Sequence, residues 1–508
     1  MTTDFLVIGA GSAGSALARR LLDAGCTVTL VEAGGPDANP AIHDLGRLGE
    51  LWHGPEDWDY YTVPQPHADG RSIHWPRGRV LGGSHSLNAS IFVRGARGDY
   101  ERWAAEGAVG WDWPEVLPVF REMEHWYGEP GPLRGEAGPL DVRPAELTGL
   151  FQSIHDAFVQ AGVPANPDYN GESIEGVSAM QLNTRDGRRL SSYRAYLHPV
   201  RDEPRLTVRT GVRVHRLLID NGRVLGVQGR AEGGPVELRA GQTVLCAGAL
   251  DTPRILLHSG IGPAAELESL GIPVLADAPG VGRNLHDHLL VPFVFETTAR
   301  DIPERQEFEP VAMVHSFTTF REGLETPDTQ PICFSVPMVP PGEDVNGSCF
   351  TLQAGLVRPE SRGTLRLASA DPEEPPLMDP QILSRPEDVE SLRASMRQML
   401  EVGAQPALAE AWGARLVLPR PLEQDREPDD DALDRHMRAW VTTYHHQVGT
   451  CRMGVDEEAV VDPGTLRPRV ELEGLRIADA SVMPSVPSGN TNAPSIMIGE
   501  RAARFILD

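Results

Sequence analysis

Gly9-Ala10-Gly11-Ser12-Ala13-Gly14 has the residue types and spacing to hold a pyrophosphate. Gly9 permits a tight turn, Gly11 lets the backbone approach the phosphates, and Gly14 allows a helix to pack closely on a strand. The helix that opens there offers free N–H groups and its positive dipole end. Glu32 lies 18 residues after Gly14, where a carboxylate can accept hydrogen bonds from a ribose. An acid at that place, rather than an arginine, disfavours a 2′-phosphate. A second set of candidates is the pair His445-His446. A neutral imidazole can take a proton near working pH, although such a pair without context is more often polar packing. His286-Asp287-His288 invites a metal reading, but no third ligand stands nearby, so no metal site is expected. Cys451 reads as a buried neutral thiol. Trp103, Trp111 and Trp113 read as packing around a helix start.

The elements that must position these residues are legible in part. Residues 4–8 read as a buried strand, 12–24 as a helix stopped by Gly25, and 27–32 as a second strand. That is a βαβ unit and therefore a parallel sheet. Residues 34–90 are rich in Gly, Pro, His and Trp and read as mostly loop. A helix is expected over 151–162, strands over 205–218, 223–230 and 235–246, and a helix from about Thr252 to Leu257. Residues 290–420 read as strands broken by proline-rich loops such as Pro331–Pro341. They also hold a helix at about 387–403, with Leu392, Met396 and Leu400 on one face. Residues 422–434 read as an acidic solvated loop and helix start. Residues 475–478 return to a strand and 495–507 to a helix.

Composition narrows the classes. The net charge is −26, which argues against nucleic acid and anionic membranes as partners. All 46 basic residues are arginine, so Schiff-base lysine chemistry and a P-loop lysine are excluded. Five scattered cysteines without C-x-x-C fit a reduced cytoplasmic protein with no disulfide framework. The first residues lack the basic start of a signal peptide, and no apolar run is long enough to span a membrane.

Three further segments carry a resemblance. They are Gly78-Arg79-Val80-Leu81-Gly82-Gly83-Ser84-His85-Ser86-Leu87-Asn88, then Gly248-Ala249-Leu250-Asp251-Thr252-Pro253 through Gly262, and the pair His445–Gly454 and Asp479–Pro494. With the N-terminal motif, the chain resembles the glucose–methanol–choline (GMC) oxidoreductases from about residue 4 to 507. Within them it is most similar to choline dehydrogenase-like and hydroxymethylfurfural oxidase-like members. The resemblance implies an α/β, two-domain fold: a Rossmann-type FAD-binding domain and an inserted substrate domain with a six-stranded antiparallel sheet. The FAD-binding parts would be 1–150, 191–290 and 436–508, and the substrate parts 151–190 and 291–435. It implies FAD, oxidation of an alcohol to an aldehyde or ketone, and oxygen or another electron acceptor. Lyases on the same scaffold are the alternative.

By the same resemblance, His446 is the catalytic base. Asn490 orients the alcohol oxygen and steadies alkoxide charge, which an amide can do without acting as a base. Cofactor contacts are implied at Gly9, Gly11, Ser12, Ala13, Gly14, Glu32, Ala33, Arg79, Gly82, Gly83, Ser84, Asn88, Ala89, Val214, His445, Asp479, Ala480 and Thr491. Asn88 would meet the isoalloxazine edge, Val214 the adenine side, and Asp479 and Ala480 the ribityl chain and pyrophosphate. Asn284-Leu285-His286-Asp287-His288 matches a structural or cofactor-proximal segment. Two residues depart from the pattern: His85, where serine or threonine is usual, and Gln447, where proline is common. Members that attach FAD covalently use a histidine at the position of Leu87, so noncovalent FAD is expected here.

Overall fold

A computed structural model describes residues 3–339, 342–420 and 428–508. Two seven-stranded sheets dominate it. The first runs in the order Leu206–Arg209, Val28–Val31, Thr3–Ile8, Gly234–Leu245, Arg223–Ala231 and Arg213–Asp220, with Leu475–Ile477 also paired to Gly234–Leu245. Its centre is parallel, with Ile8 opposite both Val31 and Leu245. Its far edge is antiparallel. One strand shows how sequence makes this switch. Gly234–Leu245 alternates apolar and polar residues and is half-exposed, until Val244 and Leu245 end it fully buried. Alternation suits a ribbon wetted on one face, and the apolar end suits a parallel layer covered on both.

The helices Ser12–Asp23 and Asn492–Leu507 cover this sheet, tied by Arg20 Nε to Glu500 Oε2 at 2.7 Å. The helix Gly248–His258 starts four residues before the expected Thr252. A proline inside a helix strands the carbonyl four residues back. Here that carbonyl, on Ala249, accepts the Thr450 hydroxyl at 2.5 Å, and the helix continues through the proline.

The second sheet is antiparallel throughout. Its path is Ala414–Leu418, Leu289–Thr297, Cys349–Leu356, Ile332–Phe334, Ala312–Phe317 and Gly176–Ala179. That path has the six strands expected. A seventh, two-residue strand, Thr442–Thr443, pairs with Leu289 and Leu290 and delivers the chain into His445-His446. The helix Pro386–Gly403 packs against this sheet, with proline and two acids in its first turn. Leu392 and Met396 are buried as expected, but Leu400 is only half-buried and Met399 takes its place. A step of four residues drifts by about 40° per turn, and Met399, seven residues after Leu392, returns to the stripe.

Residues 34–90 form short turns and a two-stranded ribbon, Tyr60–Tyr61 with His74–Trp75. Of the acidic segment, residues 422–427 lie outside the described residues. The helix Asp430–Trp440 follows, capped by Asp429 accepting from the Ala432 N–H. Trp103 and Trp111 are fully buried and donate to the Ser485 and Pro463 carbonyls. No helix among the described residues is long and apolar enough to cross a membrane. The five cysteines are unpaired.

Candidate active site

A cavity of about 580 Å³ lies between the two sheets. Its floor comes from the turn after Thr3–Ile8. Gly9 has φ +104°, and a Cβ there would sit 2.3 Å from the Cys246 carbonyl oxygen. Gly83, with φ +54°, crosses Gly11 so closely that a Cβ would meet Gly11 Cα at 2.7 Å. At Gly11 itself a Cβ would find open space, with Gly83 Cα nearest at 3.8 Å. The space beside Gly11 belongs to the cavity, and Ser12 and Ala13 open the helix beside it.

Glu32 directly follows the strand Val28–Val31 and is buried. Its carboxylate accepts from the Ala10 N–H at 3.1 Å and the Gly34 N–H at 2.9 Å. Burial pushes its pKa up to about 7 despite these bonds. Asp479 bridges the other side, accepting from the Gly248 N–H at 2.8 Å and the Thr252 hydroxyl at 2.6 Å. Ala33, Ser84, Asn88, Ala89, Val214, Ala480 and Thr491 also line the cavity. Three residues of the sequence set do not. Gly14 packs under the turn, where a Cβ would meet the Gly9 carbonyl oxygen at 2.0 Å. Gly82 donates its N–H to the Ala10 carbonyl at 2.9 Å. Arg79 turns its side chain out, donating to the Pro55 carbonyl at 3.2 Å and lying over the Trp58 ring. Its backbone passes against Gly34.

His85 is buried but lies away from the cavity wall. Its Nδ1 accepts from the Ser192 N–H at 3.0 Å, and burial drives its pKa down to about 3. It is a neutral strut beneath the glycine turn. Leu87, two residues on, does line the cavity. Arg189 escaped the sequence reading. Its guanidinium, fully buried, donates to the Ile42 carbonyl at 2.6 Å, to Ser90 Oγ at 3.1 Å, and to Asn88 at both its carbonyl and Oδ1. A lone arginine on a short ribbon carries no spacing signal.

The opposite wall holds His446 and Asn490, 44 residues apart in sequence. Asn490 Nδ2 lies 3.1 Å from His446 Nε2. Gln330 Nε2 donates to Asn490 Oδ1 at 3.1 Å, which turns the amide nitrogen toward the imidazole. His446 Nε2 is therefore the acceptor, and its proton sits on Nδ1, facing His288 Nδ1 at 3.0 Å. Burial, with His288, His445 and Arg77 nearby, holds the pKa of His446 well below the usual histidine value. The ring stacks on Tyr444 and stands edge-on to His288. Asp287 fixes the backbone: it accepts from the His446 N–H at 2.7 Å, from Gln447 Nε2 at 2.7 Å, and from the Thr443 hydroxyl. Burial lifts Asp287 to about 6. Gln447 thus supplies an N–H that proline could not.

His445 has φ +69° and also lines the cavity. Arg77 donates to its carbonyl at 2.7 Å, and burial with Arg77 nearby takes its pKa down to about 3. His286 cannot serve a metal: its Nδ1 donates to the Asn284 carbonyl at 2.6 Å and its Nε2 accepts from the Val486 N–H at 2.9 Å. Sequence reasoning did not single out Gln330, Tyr444 or the orienting role of His288. Tyr444 OH, His445 Nδ1 and Gln447 Oε1 are buried without a hydrogen-bond partner among the described residues, and all three residues line the cavity. Such groups await a partner from a bound molecule. The open glycine turn, the buried Glu32 and these orphaned atoms together fit a dinucleotide with a polar ring system.

Comparison with known proteins supplies the family context. Residues 3–290 match the N-terminal GMC oxidoreductase family model and residues 359–499 the C-terminal one. The chain is 36% identical to an oxygen-dependent choline dehydrogenase of Sinorhizobium medicae (strain WSM419), over 100% of this chain and 96% of the relative. It is 35% identical to an alcohol dehydrogenase (acceptor) of Pseudomonas putida, over 99% and 95% of the two chains. The crystal structure of pyridoxine 4-oxidase from Mesorbium loti superimposes with a TM-score of 0.90 at 33% identity, covering 99% of this chain and 98% of that one.

Proposed function

The chain belongs to the GMC oxidoreductase family, and from that premise we propose that it oxidises uncharged, apolar or aromatic primary alcohols, with His446 as base and Asn490 as the oxygen ligand. FAD-dependent oxidation of a CH–OH group is the chemistry of the family and of this chain. FAD, when bound, supplies the acceptor for the hydride. The protein must then hold the alcohol and take its proton.

The carrying observation is the pairing of His446 Nε2 with Asn490 Nδ2 at 3.1 Å on the cavity wall. A hydroxyl inserted there donates to Nε2 and accepts from the amide N–H. As the C–H bond weakens, charge grows on the oxygen. Asn490 stabilises that charge while His446 Nε2 receives the proton. Gln330 keeps the amide from flipping, and Asp287 keeps the histidine backbone in place. His446, His288 and Tyr444 are buried, so the base is open only toward the cavity.

The substrate class rests on the wall facing this pair. Leu290, Pro292, Ile332, Phe334, Met338 and Trp440 make it apolar. Among the described residues, the carboxylates that line the cavity are Glu32, Asp251 and Asp479, all on the glycine-turn side. Arg71 and Arg77 also line the cavity, with Arg77 donating to the His445 carbonyl, whereas Asp287 beside His446 is not part of the lining. A trimethylammonium group wants a carboxylate and an aromatic cage, and it would meet cations instead. On the same reading, the residues of the glycine turn, Glu32, Asn88, Val214, His445, Asp479, Ala480 and Thr491 hold FAD, and the parts assigned from the sequence form its two domains. The attachment is noncovalent, because Leu87 offers no nucleophile and His85 stands off the cavity. A cytoplasmic location is supported by the five unpaired cysteines.

The test is anaerobic flavin absorbance on the purified protein. Benzylic, furanic and aliphatic primary alcohols bleach the flavin, and choline does so at least tenfold more slowly. Fast bleaching by choline would overturn the substrate class. Bound FAD that no alcohol reduces would favour lyase chemistry. Admitting air then tells oxygen from another electron acceptor.

A further inference from the structure

We propose that His53, Asp59 and His74 form a binding site for a divalent transition-metal ion of the zinc type, at the cavity wall but apart from the reacting groups. His53 Nδ1 lies 2.7 Å from Asp59 Oδ1, and His74 Nε2 lies 3.1 Å from the same oxygen. The three ligand atoms fall within 4.8 Å of one another. Ligands held at about 2.0–2.2 Å from a tetrahedral zinc stand roughly 3.3 Å apart, so small side-chain movements would close them around one ion. Two imidazoles and one carboxylate suit zinc, copper or nickel rather than calcium or magnesium.

Three observations separate this cluster from a surface ion pair. First, His74 Nε2 is buried and has no hydrogen-bond partner among the described residues. It faces two carboxylate oxygens at once, Asp59 Oδ1 at 3.1 Å and Asp57 Oδ2 at 3.2 Å. Second, His53 and Asp59 both hold left-handed backbone, with φ +59° and +53°. Such strain persists only where neighbours enforce it. Third, the enforcing group is a buried carboxylate. Asp57 accepts from the His53 N–H at 3.1 Å, the Asp59 N–H at 3.0 Å and the Arg77 N–H at 2.9 Å. The ribbon Tyr60–Tyr61 with His74–Trp75 brings the second imidazole across, and the two rings stack at 3.9 Å. The cluster is thus positioned by an outer shell, as metal ligands are. His53 and His74 line the cavity beside Trp52, whose ring lies 5.4 Å from that of His445.

The test uses untagged holoenzyme dialysed against chelator. Zinc is titrated against a chromophoric chelator, and copper(II) is followed by electron paramagnetic resonance. One equivalent binds with micromolar affinity, and the copper spectrum shows hyperfine coupling to two nitrogens. His53→Asn and His74→Gln each weaken binding by about tenfold or more and leave coupling to one nitrogen. Retained flavin absorbance shows that each variant is folded. If either fails to hold FAD, Asp59→Asn on the exposed side of the loop carries the affinity test, weakening binding while coupling to two nitrogens is kept. No tight equivalent in the parent protein, or unchanged affinity and spectrum in the folded variants, overturns the proposal.

Discussion

The two walls of the cavity are built by opposite means. The glycine-turn wall is local: most of its shape comes from residues 9–14, 32–34 and 82–89, and it works because side chains are missing. The base-bearing wall is assembled from distant pieces, Asp287 and His288, Gln330, His445 to Gln447, and Asn490, and it works because each side chain fixes the next. One wall is specified by what must not be there, and the other by a chain of hydrogen bonds. Single substitutions should therefore fail differently on each.

The largest effect is expected on the first wall. Gly11→Val fills the space beside the turn, and the purified variant should carry no flavin absorbance; a yellow variant would break the assignment. On the second wall, His446→Ala should keep FAD and slow anaerobic flavin reduction by about 10²–10⁴. Asn490→Ala should slow it by about a hundredfold. If His446→Ala reduced flavin at the parent rate, the base would move to His445. The smallest effect is on stability. His85, His286, His288, His315, His445 and His446 are all buried with pKa values pushed down by burial. Between the ordinary histidine value near 6.5 and these low values, the unfolded chain binds protons that the folded chain does not. Stability is then fully present above about pH 6.5 and falls as pH drops. Glu32 and Asp287, raised to about 7 and 6, act with the opposite sign over about pH 4–7. Asp388 and Asp479, also raised by burial, act in the same direction as these two; six histidines outweigh four acids, so the melting temperature of the holoenzyme should fall from pH 7 to pH 5. Five of the six belong to the base-bearing half, so a flat profile would contradict the buried neutral network drawn there.

This contrast also explains what the sequence could reveal. The strand, turn, helix and acid of residues 3–32 are read from spacing, because each residue acts through its own backbone. The strand Gly234–Leu245 announces its two environments by where its alternation stops. The His446–Asn490 pair was reached through resemblance alone, since nothing in a separation of 44 residues predicts contact. Gln330 and Arg189 were invisible, because a polar side chain that orients another group has no periodicity. Leu400 and the start of Gly248–His258 were misplaced for reasons of helical geometry. A fourfold step drifts off the stripe, and a proline can sit inside a helix when a threonine elsewhere takes up its stranded carbonyl. The group His53, Asp59 and His74 was not singled out, because Asp59 and His74 meet only through the short ribbon of Tyr60–Tyr61 with His74–Trp75.

The strand Leu289–Thr297 carries a practical consequence. It follows directly on His288, pairs with the short strand that leads into the catalytic segment, and presents Leu290 and Pro292 to the cavity. Anyone redesigning substrate choice through those two positions is also moving the anchor of the base, and selectivity will be traded against turnover. Ile332, Phe334 and Met338 lie on and just after a different strand. Phe334 and Met338, farther along the chain from Gln330 than Ile332 is, are the positions from which a mutant library can change what fits with the least disturbance of the catalytic pair.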